Sequence, residues 1–202
     1  MSAIIRLLRP LQWLKNGFVF TPLIFSKHLF EKEYNNKALL AFMAFCLASS
    51  FIYIINDIID RGADKLHPEK MKRPIASGEI SIPFAISIAL VLCAASLAIA
   101  QLLPIQFLYT ILIYISIQFA YTFSLKHIVI LDLFIIATGF MLRVFGGALA
   151  IQVVISHWII ITTLFLSLFL AASKRRSELV MIKKFNIETK RRVLQEYSIP
   201  FL

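Results

Sequence analysis

The chain has 202 residues, 59% of them hydrophobic, and a mean hydropathy of +0.82. Soluble domains average about 45–50% apolar residues, so a soluble globular protein is excluded and a polytopic membrane protein is indicated. The net charge of +10 then reports membrane topology and not nucleic-acid binding. Cys46 and Cys93 both lie inside apolar runs and read as small buried hydrophobes, not as a disulfide pair.

Taken in order, residues 1–15 form a basic interfacial lead-in, with Trp13 at headgroup level. Lys15 and Asn16 enter a first predicted span over residues 16–30, and a second runs over 38–60. In the second, Ser49, Tyr53, Asn56 and Asp60 recur at helical spacing as one polar stripe. A long loop, 61–81, precedes a bland third span over 82–100. The fourth, 105–125, carries Tyr114, Gln118 and Tyr121 on one face and is closed by Lys126. In the fifth, 129–150, Asp132, Gly139, Arg143, Gly146 and Ala150 fall at offsets of 0, 7, 11, 14 and 18 residues. At about 100° per residue they lie within about 40° of one line, so charges and small residues share a face that belongs in the bundle interior. Asp132 and Arg143, eleven residues apart, are too distant to pair with each other. The sixth span, 158–172, exits into a basic tail over 173–202. The reading is therefore an all-α, six-span transmembrane bundle forming a single membrane domain.

With a cytoplasmic N-terminus, one side carries Arg6, Arg9, Lys15, the bases of loop 61–81, Lys126, Lys174, Arg175 and Arg176, and the other only Lys27, Lys32 and Lys37. This positive-inside bias places loop 61–81 and the tail in the cytoplasm.

The most informative stretch is 56–78, NDIIDRGADKLHPEKMKRPIASG. Asp57, Asp60 and Asp64 stand at i, i+3 and i+7, one helical face over about two turns. Like charges gathered beside lipid need compensation, and a hard divalent cation such as Mg²⁺ supplies it through oxygen ligands. Lys65, Lys70, Lys72 and Arg73 follow and suit phosphate oxygens. Carboxylates followed by bases read as a Mg²⁺–diphosphate site at a membrane surface; a solvated charged loop is the bland alternative. His67 has no Cys or His at ligand spacing, which argues against zinc.

This stretch resembles the first aspartate-rich motif of the UbiA superfamily of intramembrane prenyltransferases. Three more stretches, RPLQWLKN, YTFSLKHIVILDLFIIATGFMLRVFGGALA and SKRRSEL, are similar to the branch that transfers phosphoribose to a polyprenyl phosphate. The resemblance covers essentially the whole chain. It implies an enzyme of the bacterial plasma membrane, its site facing the cytoplasm, using Mg²⁺, phosphoribosyl diphosphate and a polyprenyl (decaprenyl) phosphate. It implies Asp57, Asp60 and Asp64 as the catalytic metal ligands. The candidate substrate-binding set is Lys15, Asn16, Tyr53, Asn56, Lys70, Arg73, Tyr121, Lys126, Arg143, Lys174, Arg175 and Glu178. At about 20 residues per span, the family's bundle of about nine spans is longer than this chain, which reads as truncated.

Two alternatives remain open. An aromatic prenyltransferase of the same family carries a second carboxylate-rich motif after the sixth span. Here that position reads Lys174-Arg175-Arg176-Ser177-Glu178, which favours an additional anion over a second metal clamp. A transporter would use Asp132 and Arg143 as part of an ion path.

Overall fold

The computed structural model describes residues 2–123 and 125–185, and among them every regular element is helical. In chain order these are α1 (Ala3–Leu8), a 3₁₀ segment (Pro10–Phe20), α2 (Thr21–Phe25), α3 (Lys32–Ile59), α4 (Arg61–Asp64), a 3₁₀ turn (Lys70–Lys72), α5 (Pro74–Ser77), α6 (Ile82–Ala100), α7 (Ile105–Phe123), a 3₁₀ turn (Leu125–His127), α8 (Leu131–Ile151) and α9 (His157–Phe185). Among the described residues five helices, α3, α6, α7, α8 and α9, are long and apolar enough to cross a membrane.

The first predicted span differs. Residues 16–30 do not form one α-helix; they are divided between the 3₁₀ segment, the short α2 and the turn after it. Pro10 and Pro22 stand near the starts of these two pieces, and Pro22 can neither donate a backbone hydrogen bond nor accommodate the carbonyl four residues earlier. With about three residues per turn, a 3₁₀ segment sorts its faces by threes. Asn16 and Val19 are buried, Trp13 is half-buried, and Leu11, Leu14 and Gly17 are exposed.

Apart from α3, which starts at Lys32 and not at 38, the other boundaries shift by a few residues or less, except at the end of the sixth predicted span. That helix, α9, runs on to Phe185. At about 1.5 Å per residue, ~20 residues already cross the hydrocarbon, so SKRRSEL lies on the last turns of a helix and not in a loop. The expected basic tail thus begins within α9, and residues 186–202 lie outside the described residues. Loop 61–81 is likewise not featureless, since α4, a 3₁₀ turn and α5 occupy it.

The chain divides into two compact units, residues 1–115 with 143–154, and residues 116–142 with 155–202, the divisions falling inside α7 and α8 and close to the start of α9. In the first unit α3 is the central element. Its residues Ala38, Ala41, Ala44, Phe45, Ala48 and Ile52 are buried, as are Ala85, Ala89, Ser96 and Ala100 of α6. Small side chains let the helix backbones approach, and the Ser96 hydroxyl donates to the Ala44 carbonyl at 2.8 Å. Phe45 meets Phe107 and Tyr114 edge-on, at centroid distances of 5.9 and 5.3 Å.

Gly147 of α8 sets the position of the 3₁₀ segment. A Cβ there would lie 2.0 Å from the Val19 carbonyl oxygen, whereas a Cβ on Gly17 would meet nothing within 4 Å. We predict that Gly147→Ala destabilises the protein by about 1–3 kcal/mol, the usual cost of forcing atoms into a packed core. Gly17→Ala is expected to be neutral or slightly stabilising. Thermal unfolding in detergent compares the two, and equal melting temperatures would refute this packing.

Candidate active site

The site begins where α3 ends. Asp57 lies in the last turn of α3, Asp60 follows the helix, and Asp64 closes α4. The backbone scarcely breaks between them, because Asp60 N–H donates to Asn56 O at 2.9 Å and Asp64 N–H to Asp60 O at 2.8 Å. Helical geometry therefore carries Asp57 and Asp64 to the same side, as their spacing predicted.

Arg73 joins them. Its Nη1 donates to Asp57 Oδ1 at 3.1 Å and to Asp64 Oδ2 at 2.6 Å. The sequence explains the placement of Arg73. Pro74 holds the preceding residue extended, and Arg73 has φ −67° and ψ 142°. Pro74, Ile75 and Ala76 are buried as an anchor, and Gly78 ends α5 at φ 84°, a left-handed conformation that glycine adopts at no steric cost.

A second guanidinium comes from the N-terminal segment, where Arg9 Nη2 donates to Asp57 Oδ1. Its Cζ stands 5.3 Å from the centre of the Tyr53 ring, a cation–π arrangement. Sequence reasoning counted Arg9 only as a topological charge. The available signal was its place at the head of RPLQWLKN, but nothing in local periodicity reports a contact across 48 residues.

Asp57 and Asp64 are 2% and 3% exposed. Asp57 Oδ2 is buried and accepts no hydrogen bond from the described residues, although leaving a buried acceptor unsatisfied costs about 1–3 kcal/mol, more if charged. Asp60 is half-buried. Among the described residues no three Asp, Glu, His or Cys side chains group closely enough to hold a metal ion. The expected three-aspartate ligand set is thus not assembled here. Asp57 and Asp64 are brought together, with Arg73 between them. Two carboxylates still match what Mg²⁺ takes from proteins, and the open Asp57 oxygen is a hard donor. The residues present fit such an ion.

Of the other predicted residues in this unit, Asn56 and Lys70 are half-buried and Lys15 is exposed. Asn16 is wholly buried; its amide donates to Ser49 Oγ at 3.2 Å and Cys46 Sγ at 3.3 Å and accepts from Arg143 Nε at 2.7 Å. Arg143 Nη2 also donates to Tyr114 OH at 3.0 Å. Asn16 and Arg143, 127 residues apart, thus form one buried polar cluster. Tyr114, read from sequence as a stripe residue, belongs to it.

The second unit has its own cluster. Arg175 donates from Nε to Asp132 Oδ2 at 2.7 Å, from Nη1 to Glu178 Oε2 at 2.9 Å and from Nη2 to Tyr121 OH at 3.1 Å. Asp132 is fully buried and Arg175 is 4% exposed. All three guanidinium nitrogens serve internal partners, so Arg175 ties α7, α8 and α9 together and does not face solvent as an anion-binding base. Lys174 is exposed and Lys126 half-buried.

Membrane-length helices thus meet a basic loop at an arginine-bridged aspartate pair. The model of the UbiA prenyltransferase family matches residues 23–176, and the chain belongs to that family. It is 38% identical over its full length to a decaprenyl-phosphate phosphoribosyltransferase of Mycolicibacterium smegmatis, covering 64% of that protein. It is 34% identical to the protein of the same name from Corynebacterium glutamicum, covering 61% of it. The chain thus spans somewhat under two thirds of the length of these relatives. Its fold is similar to a UbiA homolog from Archaeoglobus fulgidus solved with DMAPP and Mg²⁺, at a TM-score of 0.76 and 24% identity, over 99% of this chain and 69% of that one.

Breaking a buried ion pair by removing one partner costs about 3–5 kcal/mol, because the other charge stays buried. Asp132→Ala is accordingly expected to destabilise the protein by that order and to lower its melting temperature in detergent. A melting temperature equal to that of wild type would show that Arg175 does not depend on Asp132.

Proposed function

We propose that this chain provides the diphosphate-handling site of a Mg²⁺-dependent transferase that moves 5-phosphoribose from phosphoribosyl diphosphate to a polyprenyl phosphate. The observation that carries the reading is the pair Asp57 and Asp64, bridged by Arg73 and bearing one open carboxylate oxygen. The choice of phosphoribose and polyprenyl phosphate is supported by relatives at 34–38% identity that bear that name. The bases at Lys174 and Arg175 support it less than the sequence implied, since Arg175 is engaged internally.

In the reaction an oxygen of the polyprenyl phosphate bonds to the anomeric carbon of the ribose. The bond from that carbon to the diphosphate breaks, and the diphosphate leaves with the electron pair. The nucleophile is already an anion and needs little help from a general base. Asp57 and Asp64 would hold Mg²⁺, which supplies Lewis-acid stabilisation of the departing diphosphate. Arg73 bridges those carboxylates and, with Lys70 from the same loop, suits phosphate oxygens. Asp60, half-buried beside the pair, completes its negative field. The apolar helices would offer the lipid tail an apolar surface. The Lys and Arg bias supports a site on the cytoplasmic face of the plasma membrane, where soluble phosphorylated sugars are found.

Membranes containing the protein, incubated with labelled phosphoribosyl diphosphate and polyprenyl phosphate, should transfer label to the lipid fraction in a Mg²⁺-dependent manner. Entry of a labelled prenyl group into an aromatic acceptor would instead favour the other branch of the family. Uptake into proteoliposomes without covalent product would make the protein a transporter. Asp57→Asn and Asp64→Asn should each reduce transfer by about 10²–10³-fold, the usual loss when one electrostatic stabiliser of a developing charge is removed. Wild-type rates in either variant at saturating substrate would refute the assignment.

Orientation is tested separately. With Cys46 and Cys93 replaced, Lys65→Cys should react with a membrane-impermeant thiol reagent in inverted vesicles and not in intact cells. Labelling in intact cells would reverse the topology.

A further inference from the structure

The two arginines stand between the buried carboxylates and solvent. The side chains of Arg9 and Arg73 are 22% and 28% exposed, against 2% for Asp57 and 4% for Asp64. An anion approaching the site meets guanidinium first, and a cation approaching Asp57 Oδ1 finds that oxygen already taken by both arginines.

Arg9 is held there by its segment. It adopts φ 53° and ψ 57°, a left-handed conformation rare for a residue with a side chain, at the junction of α1 and the 3₁₀ segment. On one side of it Leu7 is fully buried, and the Leu8 carbonyl accepts from Ser50 Oγ at 2.8 Å. On the other, Trp13 Nε1 donates to the same Ser50 Oγ at 2.9 Å. Arg6, three residues earlier, pairs instead with Glu79. The segment is therefore fixed at several points independent of Arg9, and the Arg9 guanidinium reaches Asp57 as a separate feature.

We propose that Arg9 is a positioning residue that competes with a divalent cation for Asp57 and yields when a diphosphate arrives. The inference rests on the cation reading of Asp57 and Asp64 given above, and it adds a coupling rule to that site. With no diphosphate present, the Arg9 guanidinium occupies Asp57 Oδ1 and a divalent cation binds weakly. A diphosphate offers Arg9 charge-assisted hydrogen bonds of equal or better geometry. Arg9 then exchanges carboxylate for phosphate oxygen, and Asp57 Oδ1 keeps only its bond from Arg73 beside the already open Oδ2, so that less positive charge opposes the cation. Cation and diphosphate each strengthen the binding of the other by the same factor, as linkage requires. The chemical advantage is that carboxylates in an apolar setting never stand without a cationic partner, loaded or not.

The test is Mn²⁺ binding to the purified full chain in detergent, read as protein-bound ion by electron paramagnetic resonance, with and without inorganic diphosphate. Asp57→Asn under identical conditions corrects for the Mn²⁺–diphosphate complex free in solution. Wild type should bind Mn²⁺ at least about tenfold more tightly with diphosphate than without, within the range typical of coupled sites. Arg9→Gln should bind Mn²⁺ alone several-fold more tightly than wild type, and its enhancement by diphosphate should shrink to about threefold or less. Arg9→Lys, which keeps the charge but loses the planar fork, should fall between the two and serves if the glutamine variant does not fold. Arg6→Ala should match wild type in both conditions. Unchanged or weaker Mn²⁺ binding by Arg9→Gln in the absence of diphosphate would overturn the proposal. So would an Arg6→Ala variant that reproduces the Arg9→Gln behaviour, because loosening of the segment would then explain both. If wild type binds no more Mn²⁺ than Asp57→Asn in either condition, the cation reading itself fails and the coupling rule fails with it.

Discussion

A carboxylate taken out of water must meet a cation or give up its charge. Asp57, Asp64 and Asp132 are all nearly inaccessible to solvent, and the way each meets this requirement determines how the chain is tied together. Asp57 draws in Arg9 from the N-terminal segment and Arg73 from the loop beyond α4, and Asp64 shares Arg73. Asp132 takes Arg175 from more than forty residues away. Ion pairs of this kind are weak evidence of net stability, because desolvation consumes most of the attraction. They are nonetheless specific, since an alternative packing that separated a pair would leave a charge buried alone.

The two ionic clusters differ in what they leave available. Around Arg175 the donors are matched by two carboxylates and a phenol, and the group is sealed among α7, α8 and α9. Around Asp57 one oxygen accepts from two arginines while the other accepts from none. Both arginines there keep part of their surface in solvent. The first arrangement is a fastener. The second has an unsatisfied acceptor and exposed cationic donors side by side, which is the combination a metal–diphosphate ligand would use.

Much of this was legible in the sequence, for identifiable reasons. The third predicted span coincides with α6, Ile82–Ala100, because polar residues bracket a run of uniform hydropathy. Asp57 and Asp64 share a side because helical periodicity passes almost unbroken through Asp60. The 3₁₀ segment was hidden, since apolar composition does not distinguish a repeat of three from one of 3.6 over eleven residues carrying a proline at the start. Arg9 was hidden because only tertiary structure brings it to Asp57. Arg175 could have been recognised. Ala171, Arg175 and Leu179 are all buried at intervals of four, while Lys174, Arg176 and Ser177 are exposed. Read as a helix, SKRRSEL places one base inside and the others out; read as a charge run, it looked like an anion-binding loop.

The central claim is that Asp57 and Asp64 hold a divalent cation that carries the diphosphate of the donor substrate. The most direct measurement is the ³¹P hyperfine coupling on Mn²⁺ bound to the protein in the presence of phosphoribosyl diphosphate. Resolved phosphorus coupling in the protein-bound signal of wild type, absent from Asp57→Asn and Asp64→Asn, is the predicted result. A protein-bound Mn²⁺ signal with no phosphorus coupling, or the same coupling in wild type and both variants, would contradict the claim.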